Sequence, residues 1–108
     1  SGPHLKVLEF LKGLFPTVQI LEEVQIQVKK NKDLYLDFYI PIYSTAVEID
    51  GAQHREYITF LRGSREGFVS QMSNDSLKAR WCDLNMITFI RLQDNESEEE
   101  WLEKLNGR

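Results

Sequence analysis

The nineteen residues from Leu36 to His54, LDFYIPIYSTAVEIDGAQH, constrain this chain more than any other stretch. They read as two β-strands that bring Asp37 into the neighbourhood of Glu48 and Asp50, with Gly51, Gln53 and His54 just beyond. An aspartate between Leu36 and Phe38 is unfavourable for β-structure and costly to bury uncompensated. Three carboxylates and an imidazole at one sheet edge repel one another unless a cation lies among them. A divalent metal is the economical expectation, and metal with acidic residues suggests phosphodiester hydrolysis. Within Ala46–Asp50 the period of two places Val47 and Ile49 on one face and Ala46, Glu48 and Asp50 on the other. The Glu48 and Asp50 Cβ atoms are then roughly 6 to 7 Å apart, suited to sharing a cation or a metal-bound water.

The rest of the chain supplies a frame for that stretch. Leu5, Leu8, Leu11 and Leu14 recur at helical spacing, widened by Val7, Phe10 and Phe15, until Pro16 stops the pattern. Glu23 to Lys29 alternates as a strand with Val24, Ile26 and Val28 on one face. A polar turn over 29–33 leads to a second strand, with Leu34, Leu36, Phe38 and Ile40 on one face and Tyr35, Asp37 and Tyr39 on the other. Gly51 ends the third strand, where a turn resists bulkier residues. From Arg55 to Gly67 the pattern is weak: the first part is compatible with a helix, and 62–67 (RGSREG) reads as a mobile loop. Residues 68–85 fit a helix on which Asp75, Lys78 and Cys82 share a face. Residues 86–92 fit a buried strand, and 97–105 a closing helix with a Ser97/Glu100 capping box. The expected fold class is α/β (α+β), order α-β-β-β-α-β-α, a central mixed sheet flanked by helices.

Bulk properties bound the function. With 108 residues, 42% of them hydrophobic, the chain supports one domain with one core. It has neither an apolar run of membrane-spanning length nor a signal-peptide pattern, so no membrane partner is expected. A single cysteine, Cys82, points to a reducing cytoplasmic setting. Ser1-Gly2-Pro3 reads as a tag-cleavage scar on a domain cut from a longer protein. The net charge of −4 sits awkwardly with a stand-alone nucleic-acid binder, because phosphate contacts normally supply most of the affinity. Either the metal site and the acidic stretch 94–100 carry that charge, or a separate domain outside this chain targets the DNA.

Each candidate residue has a plain alternative. Glu48 and Asp50 could be ordinary charges on a solvent-facing strand, and Asp37 a structural hydrogen-bonding group near a strand end. His54 could be a surface residue; four positions past Asp50 it is also placed to ligate a metal or act as general base near neutral pH. Gln53 could position a phosphate or a water. Asp75 alone is an ordinary helix acid, and Lys78 either neutralises a phosphate or pairs with Asp75. Arg55, Arg62, Arg65 and Arg80 are the candidate phosphate contacts.

Taken together, the element order, Asp37 on the second strand and Glu48-Ile49-Asp50 on the third resemble the PD-(D/E)XK nuclease superfamily. The similarity is greatest to the branch of very short patch repair endonucleases and EDxHD phage homing endonucleases. It rests on 37–41 (DFYIP), 48–51 (EIDG), Gln53-His54, 74–81 (NDSLKARW) and the strand 87–92. The resemblance implies a restriction-endonuclease-like core and an active site of Asp37, His54 and Asp75. It further implies the main-chain carbonyl of Ile49 as a metal ligand, beside Asp37, Asp50 and His54. An acid on the first helix would complete the set. Spacing lands near His4, while the first carboxylate of the helix is Glu9, which is taken as the candidate. Asp50 stands where the general motif has lysine, a role His54 or Lys78 could fill.

The expected chemistry is attack of water on a DNA phosphodiester with Mg²⁺ as cofactor, Mn²⁺ substituting. DNA, in double-stranded form, is the expected partner, and both nicking by a monomer and double-strand cleavage by a homodimer fit. A catalytically inactive nuclease fold kept for DNA or protein binding is the alternative. A junction resolvase would want a basic dimer surface, and a glycosidase would leave His54 idle.

Overall fold

A computed structural model of the chain describes the backbone of residues 2–50 and 65–107 and the side chains of 2–50 and 74–107. The elements in order are α1 (Gly2–Leu14), β1 (Leu21–Lys29), β2 (Lys32–Ile40), a 3-10 turn (Pro41–Tyr43), β3 (Thr45–Asp50), α2 (Arg65–Leu84), β4 (Thr88–Gln93) and α3 (Glu98–Asn106). Among the described residues this is an α+β fold with a four-strand mixed sheet and three helices. The sheet order is β1-β2-β3-β4. The first two pairings are antiparallel and β3–β4 is parallel, with α2 lying in the crossover that a parallel pair requires.

Sequence explains most of these elements locally. Pro16 ends α1 just beyond Leu14, and the Phe15 N–H still donates to the Leu11 carbonyl. Lys30-Asn31 joins β1 to β2, and Asn31 takes the left-handed conformation (φ 61°) that asparagine tolerates better than most residues. Ser97 caps α3 by accepting from the Glu100 N–H, and the Glu100 carboxylate reaches back to the Ser97 N–H.

Two buried clusters hold the sheet between helices. One joins Val7 and Leu11 of α1 and Trp101 and Leu105 of α3 to Phe38, Ile40, Val47, Ile90 and Leu92. The other joins Cys82 of α2 to Ile26, Leu36 and Ala46, with Trp81 and Phe89 packed alongside. Val47 and Ala46 therefore face opposite layers, as a period of two requires. Trp101 donates its indole N–H to the Gln93 carbonyl at 2.8 Å, which ties α3 to the end of β4.

Three expectations need correction. Leu34, Leu36, Phe38 and Ile40 do not share a face: Leu34 and Leu36 pack with the α2 layer, while Phe38 and Ile40 pack with the α1–α3 layer. The alternation breaks at Asp37, opposite a kink in β1 where Glu23 takes φ 50°. Residues 65–67, read as loop, are the first residues of α2, whose amino-terminal turn overrides the local glycine signal. Met86, read as the start of a buried strand, is exposed in the turn after α2 with φ 58°, and β4 begins at Thr88.

Candidate functional site

The break at Asp37 builds a polar site. The regular β2–β3 ladder runs from Ile40–Thr45 to Phe38–Val47 and stops there. Beyond it, side chains take the place of the ladder. The Asp37 N–H donates to Glu48 Oε2 at 2.6 Å, and the Ile49 N–H donates to Asp37 Oδ2 at 2.8 Å. Each carboxylate thus caps the other strand's backbone where the two strands separate. The unpaired N–H groups are satisfied, and both acids are fixed at the opening.

Glu48 is almost wholly buried (5% exposed) and forms a 2.6 Å ion pair with Lys78 of α2. Burial first, and then the Asp37 charge, push the Glu48 carboxyl up from 4.5 to about 6, while Lys78 pulls in the opposite direction. Asp50 pairs with Arg91 of β4 at 3.0 Å, and the same guanidinium lies 3.6 Å from Asp75. Asp37, Glu48, Ile49, Asp50, Asn74, Asp75, Lys78 and Arg91 line one cleft of about 230 Å³. Among the described residues, four carboxylates and two basic side chains line it. Asn74 adds a buried side-chain oxygen with no hydrogen-bond partner among the described residues.

Of the residues singled out from sequence, the fold brings Asp37, Glu48, Ile49, Asp50, Asp75 and Lys78 together. Glu9 is exposed on α1, in a groove with Lys6, Phe10 and Glu98, and does not line this cleft. Arg80 is exposed on α2 and is likewise outside the lining. Gly51, Gln53, His54, Arg55 and Arg62 lie outside the described residues, as does the side chain of Arg65. Sequence reasoning missed Arg91 and gave Asn74 no role. Arg91 sits in a strand read only as buried, and its parallel pairing opposite Glu48, beside Asp50, is a long-range fact without a local signal.

Fold and cleft together define an α+β domain with an acidic cleft, crossed by two basic side chains, where its sheet splits. In sequence the chain is similar to the uncharacterized protein 307L of invertebrate iridescent virus 6, at 37% identity over 62 residues. That match covers 57% of this chain and 32% of the viral protein, so the chain corresponds to about a third of that relative's length. No family model and no solved structure matches it. Among the described residues, no helix is long and apolar enough to cross a membrane.

Proposed function

We propose that the chain is a metal-dependent DNA endonuclease domain with a restriction-endonuclease-like core, hydrolysing phosphodiester bonds in the manner of homing or very short patch repair endonucleases. The observation that carries this reading is the reciprocal bracing of Asp37 and Glu48 at the split in the sheet, with Lys78 held against Glu48. It sets two oriented carboxylates and a basic side chain at one opening. That is the geometry a phosphate and a hard cation need together. The donor set fits Mg²⁺ or Mn²⁺: carboxylate oxygens, the partnerless Asn74 oxygen and room for retained waters.

A bound ion would polarise the phosphoryl group and stabilise the leaving 3′-oxygen. Asp37 would anchor it, its Oδ2 already oriented by the Ile49 N–H. Lys78, held against Glu48 from α2, is proposed to take the role that the lysine of the general motif has at position 50, supplying positive charge as the phosphorus gains a fifth oxygen. His54 is proposed to take the proton of the attacking water as the P–O3′ bond breaks. Arg91 holds Asp50 and lies beside Asp75 on the same cleft.

The test is cleavage of supercoiled plasmid by the purified chain with Mg²⁺ or Mn²⁺, beside EDTA and Asp37→Asn. Nicking or linearisation that both controls abolish is the expected result. No cutting at high enzyme concentration, together with no Mn²⁺ binding, would overturn the reading. It would favour a non-catalytic binding module, which the pre-existing Glu48–Lys78 and Asp50–Arg91 pairs would suit as structural links.

A further inference from the structure

On the α1 side of Asp37 lies a second constellation. A ring nitrogen of His4, a carboxylate oxygen of Glu23 and one of Asp37 lie within 4.8 Å of one another. They come from α1, β1 and β2, so the fold and not sequence proximity assembles them. His4 Nε2 sits 2.8 Å from Glu22 Oε1. A carboxylate only accepts, so Nε2 carries the proton, and a neutral ring then presents the Nδ1 lone pair. Nδ1 is 3.9 Å from Glu23 Oε1. Two carboxylates gathered beside the ring suit a cation there, either a second proton on the ring or a metal ion.

Three features favour the metal. The His4 ring is stacked on Phe38, centroids 4.5 Å apart, which fixes its plane. Glu22 supplies the carboxylate that ligating histidines characteristically engage through their other nitrogen. Asp37 is held from behind by the Ile49 N–H. Ligands about 2.0–2.2 Å from a tetrahedral ion stand roughly 3.4 Å apart. The exposed Glu23 side chain need move only slightly to reach that spacing.

We infer that His4, Glu23 and Asp37 form a binding site for a first-row transition-metal ion of the Mn²⁺, Co²⁺ or Zn²⁺ kind, in preference to Mg²⁺. The imidazole sets that preference, because nitrogen donors suit these ions and Mg²⁺ keeps to oxygen. The site shares Asp37 with the nuclease reading but stands on metal binding alone, whether or not the chain cuts DNA.

The test uses Co²⁺ and Zn²⁺ alone on the intact chain. Visible absorption follows Co²⁺ binding in the wild type and in His4→Ala, Glu23→Gln, Glu22→Gln and Asp75→Asn. Thermal melts check that each variant is folded. In a His54→Ala background His4 is the sole imidazole, and its ring ¹⁵N shifts report Zn²⁺ directly. The expected result is an ion bound at His4, read as a Zn²⁺-induced shift at Nδ1 with the Nε2 proton retained, and affinity at that site at least about tenfold lower in Glu23→Gln, with the matching Co²⁺ absorption weakened in His4→Ala. Glu22→Gln should weaken binding less, and Asp75→Asn should bind as wild type. No binding, or a His4 ring that titrates identically with and without Zn²⁺, would overturn the inference and leave an imidazolium in the site. Binding lost in Asp75→Asn but kept in His4→Ala would also overturn it while placing an ion in the cleft, so the two readings fail separately.

Discussion

Asp37 does two jobs that substitution can separate. Its Oδ2 accepts the Ile49 N–H, and its charge faces the proposed ions. Asp37→Asn keeps an acceptor and should fold within about 1 kcal/mol of wild type while losing metal-dependent cleavage. Asp37→Ala orphans a partly buried N–H and should cost roughly 1 to 3 kcal/mol in urea denaturation. Glu48 carries a pH signature. In the metal-free protein, burial and the Asp37 charge raise its carboxyl from 4.5 to about 6 against the pull of Lys78, with buried Cys82 and the Asp50–Arg91 pair nearby. A folded value above the unfolded one means that the folded state holds a proton across that window and the unfolded state does not. The Glu48 contribution is therefore fully present below about pH 4.5 and is lost as pH rises to about 6, a change of roughly 2 kcal/mol. Urea midpoints measured in EDTA from pH 4 to 7 should show wild type losing that much relative to Glu48→Gln. Parallel curves for the two proteins would refute the assignment.

The helices of this domain differ in how they are anchored. α3 is short, and its stability rests on the capping box and on Trp101 and Leu105 inserted into the core. Removing the cap with Ser97→Ala should cost about 1 kcal/mol, read as a lower melting temperature with unchanged metal affinity. That capping box was legible in sequence because it depends on residues three apart. The face switch in β2 was not. Leu34, Leu36, Phe38 and Ile40 alternate without interruption in sequence, and only the β1 kink at Glu23 and the splitting of β2 from β3 turn the strand over at Asp37. The same limit hid Met86, which hydropathy assigns to a strand and the α2–β4 turn leaves in solvent.

The charge of the whole molecule shapes what it can grip. At a net charge of −4, the chain lacks the excess of lysine and arginine that phosphate contacts need, and its cleft places Lys78 and Arg91 against carboxylates. DNA binding by this chain alone is expected at the weak, non-specific end, with Kd on the order of 10⁻⁴ to 10⁻⁶ M at physiological salt and a shallow salt dependence. Fluorescence anisotropy with a labelled duplex checks this; nanomolar binding would show that targeting resides in this domain and not in another.

Alternation and helical spacing were enough to read the type and order of the elements among the described residues, because burial imposes its period on residues two, three or four apart. They also marked Asp37, Glu48, Asp50, Asp75 and Lys78, since a charge inside an apolar strand, or one helical turn from another charge, stands out against its neighbours. Partnership was another matter. That Glu48 meets Lys78 thirty residues away, that Arg91 binds Asp50 and nears Asp75, and that His4 in place of Glu9 approaches Asp37 all follow from strand register and helix docking. Those contacts are set by packing between segments distant in the chain, and no local pattern of residues encodes which of several equally charged groups will come within reach.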